Sequence, residues 1–301
     1  MPRTAGDEGL GAGSSAGTAG AVSAVTPASG STTAVGIAVA QFAPTADTAA
    51  NLAEMRRLTE LAVARGATLV VFPEYSSHFS SPLGPNALAA AEPIDGYFAT
   101  ELARIARQNR IVVVAGLIEN ADDDHYYNTL VAFDSRGELV ARYRKVHLYD
   151  AFGGRESEWM RAGAVGHPQT FELGGFTVGL QTCYDIRFPE VTRWLVDAGV
   201  DLVLVPAEWV PGPAKERHWM TLVVARAIEN TVFVAAADHT APGGVGLSMI
   251  VDPMGEVIAS IGAQPDVTVA FVSPDRLAAV RRVNPALALR RFAVTPLPAV
   301  E

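Results

Sequence analysis

The sequence predicts an α/β fold, because short apolar runs typical of buried strands alternate with longer segments that have helical spacing. The first apolar runs cover residues 35–41, 68–72 and 111–115, and the third is rich in β-branched side chains. Helices are predicted at residues 51–65 and 99–108. The apolar side chains of the first helix recur every three or four residues, at Leu52, Met55, Leu58, Leu61 and Ala62.

The same alternation continues to residue 283, and a chain of 301 residues with 49% hydrophobic side chains can bury a large core. The later predicted strands lie at residues 176–182, 202–205, 232–237 and 267–272, with helices at 189–197, 218–230 and 274–283. Hairpins are predicted at residues 127–144 and 249–259, each around a turn that contains glycine. No proline-rich linker interrupts this pattern, so we expect a single domain over residues 34–301.

Residues 1–33 differ in composition from the rest of the chain. Gly, Ala, Ser and Thr occupy 24 of these 33 positions. Such a segment has too little bulky apolar surface to offset the entropy lost on ordering, so we predict a disordered tail. A signal peptide is the alternative interpretation, but Asp7 and Glu8 offset Arg3 and no continuous apolar stretch follows.

Charge and composition exclude several classes of protein. The formal net charge of −9 argues against a nucleic-acid binder, which needs a basic face. No stretch reaches the roughly 20 apolar residues that a membrane span requires. Cys183 is the only cysteine, so a disulfide within the chain is impossible and we expect a reducing compartment, the cytoplasm. The six histidines lack the spacing of metal ligands, so we expect no metal site.

Cys183 follows a predicted strand and precedes a helix that begins with proline. A cysteine on such a turn projects from the edge of the sheet, where a nearby helix N-terminus favours the thiolate. The alternative is a buried structural cysteine, which is the commoner role of a single cysteine.

Glu74 and Lys145 also lie at the ends of predicted strands. Glu74 directly follows the run Val70-Val71-Phe72-Pro73, where partial burial would raise its pKa toward the range of a general base. Lys145 ends a predicted hairpin strand. Taken singly, the glutamate is equally a solvated loop charge and the lysine a surface charge.

Taken together, the three residues lie in segments that resemble the three signature segments of the nitrilase superfamily, the carbon–nitrogen hydrolases. Those segments are Phe72-Pro73-Glu74-Tyr75, Tyr143-Arg144-Lys145-Val146-His147-Leu148 and Thr182-Cys183-Tyr184-Asp185-Ile186-Arg187-Phe188-Pro189-Glu190. The resemblance extends from residue 34 to about residue 273. On this resemblance, residues 34–301 are a carbon–nitrogen hydrolase domain with a C-terminal extension.

The resemblance implies a four-layer α-β-β-α sandwich and a catalytic triad that needs no cofactor. Glu74 would be the general base and then the general acid, and Cys183 would be the nucleophile. Lys145 would stabilise the tetrahedral oxyanion, with the backbone N–H of Tyr184 as the second donor. A further family glutamate, implied to hold Lys145, corresponds to Glu156.

Three assignments around this triad stay open. Glu158 is the nearby alternative to Glu156. Arg187 is four residues after Cys183, and we expect it either to hold a substrate carboxylate or to pair with Asp185 or Glu190 and shape the turn. Trp209 either forms a wall of the acyl pocket or is a packed loop aromatic.

The activity implied by the resemblance is hydrolysis of a small linear amide through a cysteine acyl-thioester, with release of ammonia. The segment after Cys183 most resembles the branch that contains ω-amidases and deaminated-glutathione amidases. An N-carbamoyl-amino-acid hydrolase or a nitrilase are the alternatives within the family. A thiol redox sensor is the alternative of another class, although no resolving thiol is present. Family members usually pair, so we expect a homodimer or a larger homo-oligomer.

Overall fold

A computed structural model gives the fold and describes residues 34–297. The predicted tail of residues 1–33 lies outside the described residues. All described residues belong to one compact unit. Within this range, no helix combines the length and the apolar character needed to cross a membrane.

Six strands form the first sheet, in which a parallel centre has antiparallel edges. The strands are β1 (Val35–Gln41), β2 (Leu69–Val71), β3 (Val112–Asn120), β4 (Tyr126–Phe133), β5 (Leu139–Arg144) and β12 (Asp266–Val272). Their spatial order is β12-β1-β2-β3-β4-β5. The three central strands β1, β2 and β3 are parallel to one another, and the others pair antiparallel.

The second sheet repeats this plan with the later strands. These are β6 (Thr170–Leu173), β7 (Phe176–Leu180), β8 (Leu202–Ala207), β9 (Phe233–Asp238), β10 (Met249–Val251) and β11 (Val257–Ser260). Their order is β11-β10-β9-β8-β7-β6, and β7, β8 and β9 form the parallel centre. Each half of the chain therefore contributes three parallel strands whose carboxyl ends lie at one edge.

Helices flank the two sheets. They are α1 (Thr48–Ala64), α2 (Pro85–Ala89), α3 (Tyr97–Asn109), α4 (Pro189–Asp197), α5 (Lys215–Asn230) and α6 (Pro274–Val283). One apolar cluster joins α1 and α3 to the first sheet, and another joins α4 and α5 to the second. A third cluster contains buried side chains from the facing surfaces of both sheets. The layers are helix, sheet, sheet and helix, which confirms the expected sandwich.

Local sequence explains where several elements begin and end. Proline occupies the first turn of both α4 and α6, where its missing N–H has no helical partner to lose. Asp47 caps α1 by accepting a hydrogen bond from the N–H of Ala50. Two elements were not predicted, the short helix α2 and the edge strand β6.

Candidate active site

Glu74 lies just beyond the carboxyl end of β2 and is fully buried. Its carboxylate accepts hydrogen bonds from Lys145 Nζ (3.0 Å), from the Asn128 side-chain amide and from the backbone N–H of Glu208 (2.6 Å). The close approach of β3 requires glycine at position 116, because a Cβ there would lie 2.8 Å from the Cα of Glu74. The carboxylate is therefore held on three sides.

Lys145 follows β5 and is 1% exposed. Its ammonium lies 3.0 Å from the carboxylate of Glu74 and 2.9 Å from that of Glu156. Glu156 also accepts hydrogen bonds from the Tyr75 hydroxyl (2.9 Å) and the Tyr149 N–H (2.7 Å). The structure thus places Glu156 on the lysine, whereas the more exposed Glu158 pairs with Arg155.

Cys183 occupies a strained turn between β7 and α4. Its backbone φ is +43°, in the left-handed region that non-glycine residues seldom adopt. The residue is buried and begins the short 3-10 helix Cys183–Arg187. Its Sγ lies 3.4 Å from the carbonyl oxygen of Glu208. The next N–H, that of Tyr184, makes no hydrogen bond within the part of the chain that the structure describes.

Asp185 ties the cysteine turn to the strand that carries Lys145. Its buried carboxylate accepts hydrogen bonds from the N–H and Nδ1 of His147 (3.0 and 2.8 Å) and from the Tyr143 hydroxyl (2.7 Å). It also accepts one from the N–H of Thr182, next to the cysteine (3.1 Å). Segments far apart in sequence are thereby fixed against each other.

The peptide groups of Glu208 connect the nucleophile to the base. The Glu208 N–H donates to Glu74 while its carbonyl oxygen faces the Cys183 thiol. Residues at the end of β9 hold this loop: Asp238 accepts from the N–H of Trp209 (2.7 Å). His239 Nε2 lies 2.6 Å from the backbone carbonyl oxygen of Glu74.

Burial and neighbouring charges shift the pKa values of the cluster. Burial raises the pKa of Glu74, although the nearby Lys145 ammonium opposes this. Burial and the Glu74 charge raise the pKa of the Cys183 thiol well above its usual range. Burial alone would lower the pKa of Lys145, but the carboxylates of Glu156 and Glu74 outweigh it and raise that pKa. These shifts favour a neutral thiol at Cys183 and a charged ammonium at Lys145, and they make Glu74 a stronger base than an exposed glutamate.

A cavity of about 460 Å³ opens next to this cluster. Glu156 and Glu208 line both this cavity and the narrow space above Cys183, which is also lined by Tyr184, Arg187, Trp209 and Lys215. The Arg187 guanidinium lies 4.8 Å from the Trp209 ring centroid and 3.3 Å from His218 Nδ1. It pairs with neither Asp185 nor Glu190.

Lys215 is a second cation in the same narrow space. It is 5% exposed, donates to the Tyr149 hydroxyl (2.8 Å) and lies 5.3 Å from the Trp209 ring centroid. Burial and the charge of Arg187 lower its pKa. Among the described residues, neither Lys215 nor Arg187 forms an ion pair with a carboxylate.

Four polar residues of the site, Asn128, Asp185, Glu208 and Lys215, are not among the site residues that the sequence predicts. Asp185 lies in the third segment that resembles the family and Asn128 lies in a predicted hairpin strand, so their polarity within apolar surroundings is an available signal. The signal for the other two residues is weaker: Glu208 directly follows β8 and precedes Trp209, and Lys215 is the first residue of α5. Within residues 34–297, no cluster of three or more His, Cys, Asp or Glu side chains is arranged to hold a metal ion.

Comparison with models of known protein families gives a match over most of the chain. The family model described as Carbon-nitrogen hydrolase matches residues 36–282. The chain belongs to the carbon–nitrogen hydrolase family. The matched range ends at residue 282, which leaves a short C-terminal segment outside it.

This carbon–nitrogen hydrolase is similar to curated relatives over most of its length. It is 39% identical over 261 residues to Hydrolase MT0498 of Mycobacterium tuberculosis (strain CDC 1551 / Oshkosh), covering 81% of this chain and 91% of the relative. It is 36% identical over 257 residues to the deaminated glutathione amidase of Escherichia coli O157:H7, covering 85% and 97% of the two chains.

Among solved structures, this carbon–nitrogen hydrolase resembles the NitFhit protein of C. elegans. The TM-score is 0.79 at 30% sequence identity, and the match covers 87% of this chain. The matched region spans 66% of the NitFhit chain.

Proposed function

We propose that this carbon–nitrogen hydrolase is an amidase that hydrolyses small linear amides through a thioester on Cys183 and releases ammonia. The observation that carries the proposal is the charge arrangement around the thiol. A buried ammonium, Lys145, is held between the carboxylates of Glu74 and Glu156, and one residue, Glu208, contacts both Glu74 and the Cys183 thiol. Acyl transfer needs a nucleophile, a base and an oxyanion site, and this cluster can supply all three.

In the acylation step, Glu74 takes the proton of the Cys183 thiol while Sγ attacks the amide carbon. A base is needed because the raised pKa of the thiol keeps it protonated at neutral pH. The oxyanion that forms accepts hydrogen bonds from Lys145 Nζ and the free N–H of Tyr184. Protonated Glu74 then donates its proton to the amide nitrogen, the C–N bond breaks and ammonia leaves.

In the deacylation step, a water molecule takes the place that ammonia vacates. Glu74, again ionised, removes a proton from this water as its oxygen attacks the thioester carbon. The second tetrahedral intermediate uses the same oxyanion donors. Its collapse breaks the C–S bond, releases the carboxylic acid and returns the proton to Cys183. Glu156 keeps Lys145 charged and in place through both steps.

The cations of the narrow space support an acidic substrate. Arg187 and Lys215 lie there without a carboxylate partner among the described residues, and Trp209 forms the apolar wall beside them. A guanidinium can bind a carboxylate with two hydrogen bonds and so orient the far end of the substrate. We assign these three residues to substrate binding, with a carboxylate at the end opposite the amide.

The amidase proposal is favoured over the alternatives by two observations. A curated relative of similar length is named deaminated glutathione amidase, whose name describes amide hydrolysis. The thiol pKa is raised, whereas a peroxide-sensing cysteine needs a thiolate. Hydrolysis of an N-carbamoyl compound would release carbon dioxide with ammonia, and a nitrilase would prefer a nitrile over the matching amide.

We also place the enzyme in the cytoplasm as a homo-oligomer. The single cysteine supports the location. Large apolar side chains stay exposed near the C-terminal end of the described chain, including Phe292, which is 90% exposed. Apolar surface of this kind is typical of association between copies. Light scattering of the purified protein measures the oligomer size, and a monomer would contradict this part of the proposal.

The experiment that tests the activity is a substrate panel with mass analysis of the enzyme. Matched amides, ureides and nitriles are incubated with the protein, and the release of ammonia and carbon dioxide is recorded. We expect ammonia alone, fastest from amides, together with an acyl adduct on the peptide that contains Cys183. Turnover without any adduct on that peptide, or turnover retained after Cys183→Ala, would contradict the mechanism.

A further inference from the structure

Glu208 places an unpaired carboxylate beside the nucleophile. Its side chain is partly exposed, and the residue lines both the 460 Å³ cavity and the space above Cys183. Its backbone is fully engaged, with the N–H on Glu74 and the carbonyl oxygen facing the thiol. The side-chain carboxylate, in contrast, has no hydrogen bond or ion pair with any residue of the described chain. The reaction steps above do not use this carboxylate.

The neighbouring cations form no ion pair with Glu208 in the described chain, although its charge opposes the lowering of the Lys215 pKa. Arg187 contacts His218 and Trp209, and Lys215 donates to the Tyr149 hydroxyl. Opposite charges therefore line one small space without pairing to each other. Charged groups inside proteins are normally paired, so unpaired ones that face a cavity point to partners on a ligand.

The surroundings of Glu208 favour a ligand that donates a hydrogen bond. Burial and the charges of Glu74 and Asp238 raise the pKa of Glu208 well above its usual range. The protein thus supplies too little stabilisation for the ionised carboxylate. A hydroxyl or an ammonium on the ligand would supply it, because each donates a hydrogen bond and the ammonium adds an opposite charge.

We propose that Glu208 is a specificity-determining residue that accepts a hydrogen bond from a donor group, a hydroxyl or an ammonium, on the acyl chain of the substrate. The inference rests on the proposed amidase function and narrows its substrate class. The preferred substrate then carries three groups: the amide at Cys183, a carboxylate at Arg187 and Lys215, and a donor that reaches Glu208.

The test compares amides that differ only in this donor. Succinamate and its 2-hydroxy, 2-amino and 2-oxo derivatives form one series, and the five-carbon homologues form a second. For each amide, kcat/KM for ammonia release is measured with the wild-type enzyme, Glu208→Gln and Glu208→Ala. We expect the wild type to prefer a hydroxy or amino amide over the unsubstituted one by about tenfold or more, as a hydrogen bond to a charged group allows. The 2-oxo amide, which cannot donate, should follow the unsubstituted one.

The two variants identify the donor. Glu208→Ala should abolish the preference in every case. Glu208→Gln keeps an acceptor oxygen but loses the charge, so it should retain a preference for a hydroxyl and lose a preference for an ammonium. Side-chain replacement leaves the two backbone contacts of residue 208 in place, and circular dichroism with thermal unfolding verifies that each variant is folded.

Glu216→Gln is the matched control. Glu216 is exposed, follows Lys215 on α5 and lies outside both cavity linings, so its substitution removes one negative charge near the site without touching the ligand. The ratios between amides should stay as in the wild type. Equal shifts in Glu216→Gln and Glu208→Gln would overturn the inference, because the effect would then be one of long-range charge.

The experiment also separates the two proposals. The role of Glu208 would be overturned if the wild-type enzyme hydrolysed all of these amides with similar kcat/KM. It would also be overturned if Glu208→Ala lowered kcat/KM equally for all of them. Either result would leave the amidase function standing. Absence of both ammonia and an acyl adduct on Cys183 across the two series would overturn the amidase function itself.

Discussion

The charges around Lys145 are paired, whereas the charges around Arg187 are not paired within the described chain, although both groups lie in the same site. Lys145 is 1% exposed and has two carboxylates within 3.0 Å. Arg187 and Lys215 sit among aromatic rings and have no carboxylate partner in the described chain. Glu208 is unpaired in the same way.

We infer from this difference that the paired charges serve the reaction and the unpaired charges serve substrate binding. Saturated charges are held rigidly, as the transition state requires, because preorganised donors need no rearrangement during the reaction. Unpaired charges at a cavity wall are costly in the empty enzyme, and a ligand of opposite charge relieves that cost. The first group should therefore control kcat, and the second should control which substrate binds.

Cys183→Ala should have the largest effect. Removal of Sγ should lower turnover by roughly 10³-fold or more, because no acyl-enzyme can form. The fold should persist, since the substitution removes one atom and keeps the backbone of the turn. Ammonia release and the thermal unfolding midpoint measure the two expectations. Activity close to that of the wild type in this variant would refute the role of the cysteine.

Lys145→Met should come next, with its effect mainly on kcat. Loss of one oxyanion donor in a site closed to water typically costs roughly 10²–10³-fold. KM should change little, because the ammonium interacts with charge that develops only in the transition state. Steady-state kinetics separate the two parameters. A rise in KM with unchanged kcat would place Lys145 in recognition and break the distinction drawn here.

Arg187→Leu and Lys215→Met should act on substrate choice. We expect KM for an ω-amide acid to rise by about tenfold or more, while KM for a matched neutral amide stays near the wild-type value. Arg217→Leu, an exposed position on the same helix as Lys215, is the control and should behave like the wild type. Equal losses on both amides would assign the two cations to structure.

The burial of His239 can be tested through the pH dependence of the free energy of unfolding. Burial lowers the pKa of this histidine to about 4, below its ordinary value of 6.5. The unfolded chain therefore binds more protons between these values, so stability is full above pH 6.5 and falls as the pH drops toward 4. The loss should reach about 3 kcal/mol at most. Denaturant unfolding measures the free energy of unfolding at pH 7 and at pH 4.5. The difference between the two pH values should be smaller in His239→Asn than in the wild type. An unchanged difference would contradict the lowered pKa of His239.

Removal of residues 1–33 should have the smallest effect. Their composition predicts no ordered contacts with the domain, so neither the thermal unfolding midpoint nor kcat/KM should change. The truncated and full-length chains are compared by calorimetry and ammonia release. A midpoint that drops by several degrees would show that the segment docks.

The main elements of the fold could be predicted because their signals are local. Helix α4 was predicted with its observed bounds, since Pro189 fixes its start and the apolar spacing fixes its face. Helix α5 begins at Lys215, three residues before the predicted start. The prediction starts late because Lys215 and its neighbours lack an apolar pattern. Strand β6 has four residues and one buried side chain, too few for a period to be recognised.

The environment of the site residues could not be predicted in the same way. Motif resemblance pointed to Glu74, Lys145 and Cys183 as candidates, and the fold brings their segments to the ends of β2, β5 and β7. The isolation of Lys215 and Glu208 from ion pairs depends on what other loops place nearby. Such information is absent from any short segment of sequence.

At residue 208 the backbone contacts the catalytic residues, whereas the side chain faces the space where the substrate is proposed to bind. The hydrogen bonds of residue 208 to Glu74 and Cys183 use its peptide N–H and C=O, and every amino acid except proline offers this same pair of groups. Replacement of this side chain therefore leaves both hydrogen bonds in place. For protein engineering, position 208 is a place to saturate with all residues but proline while the reaction itself provides the screen.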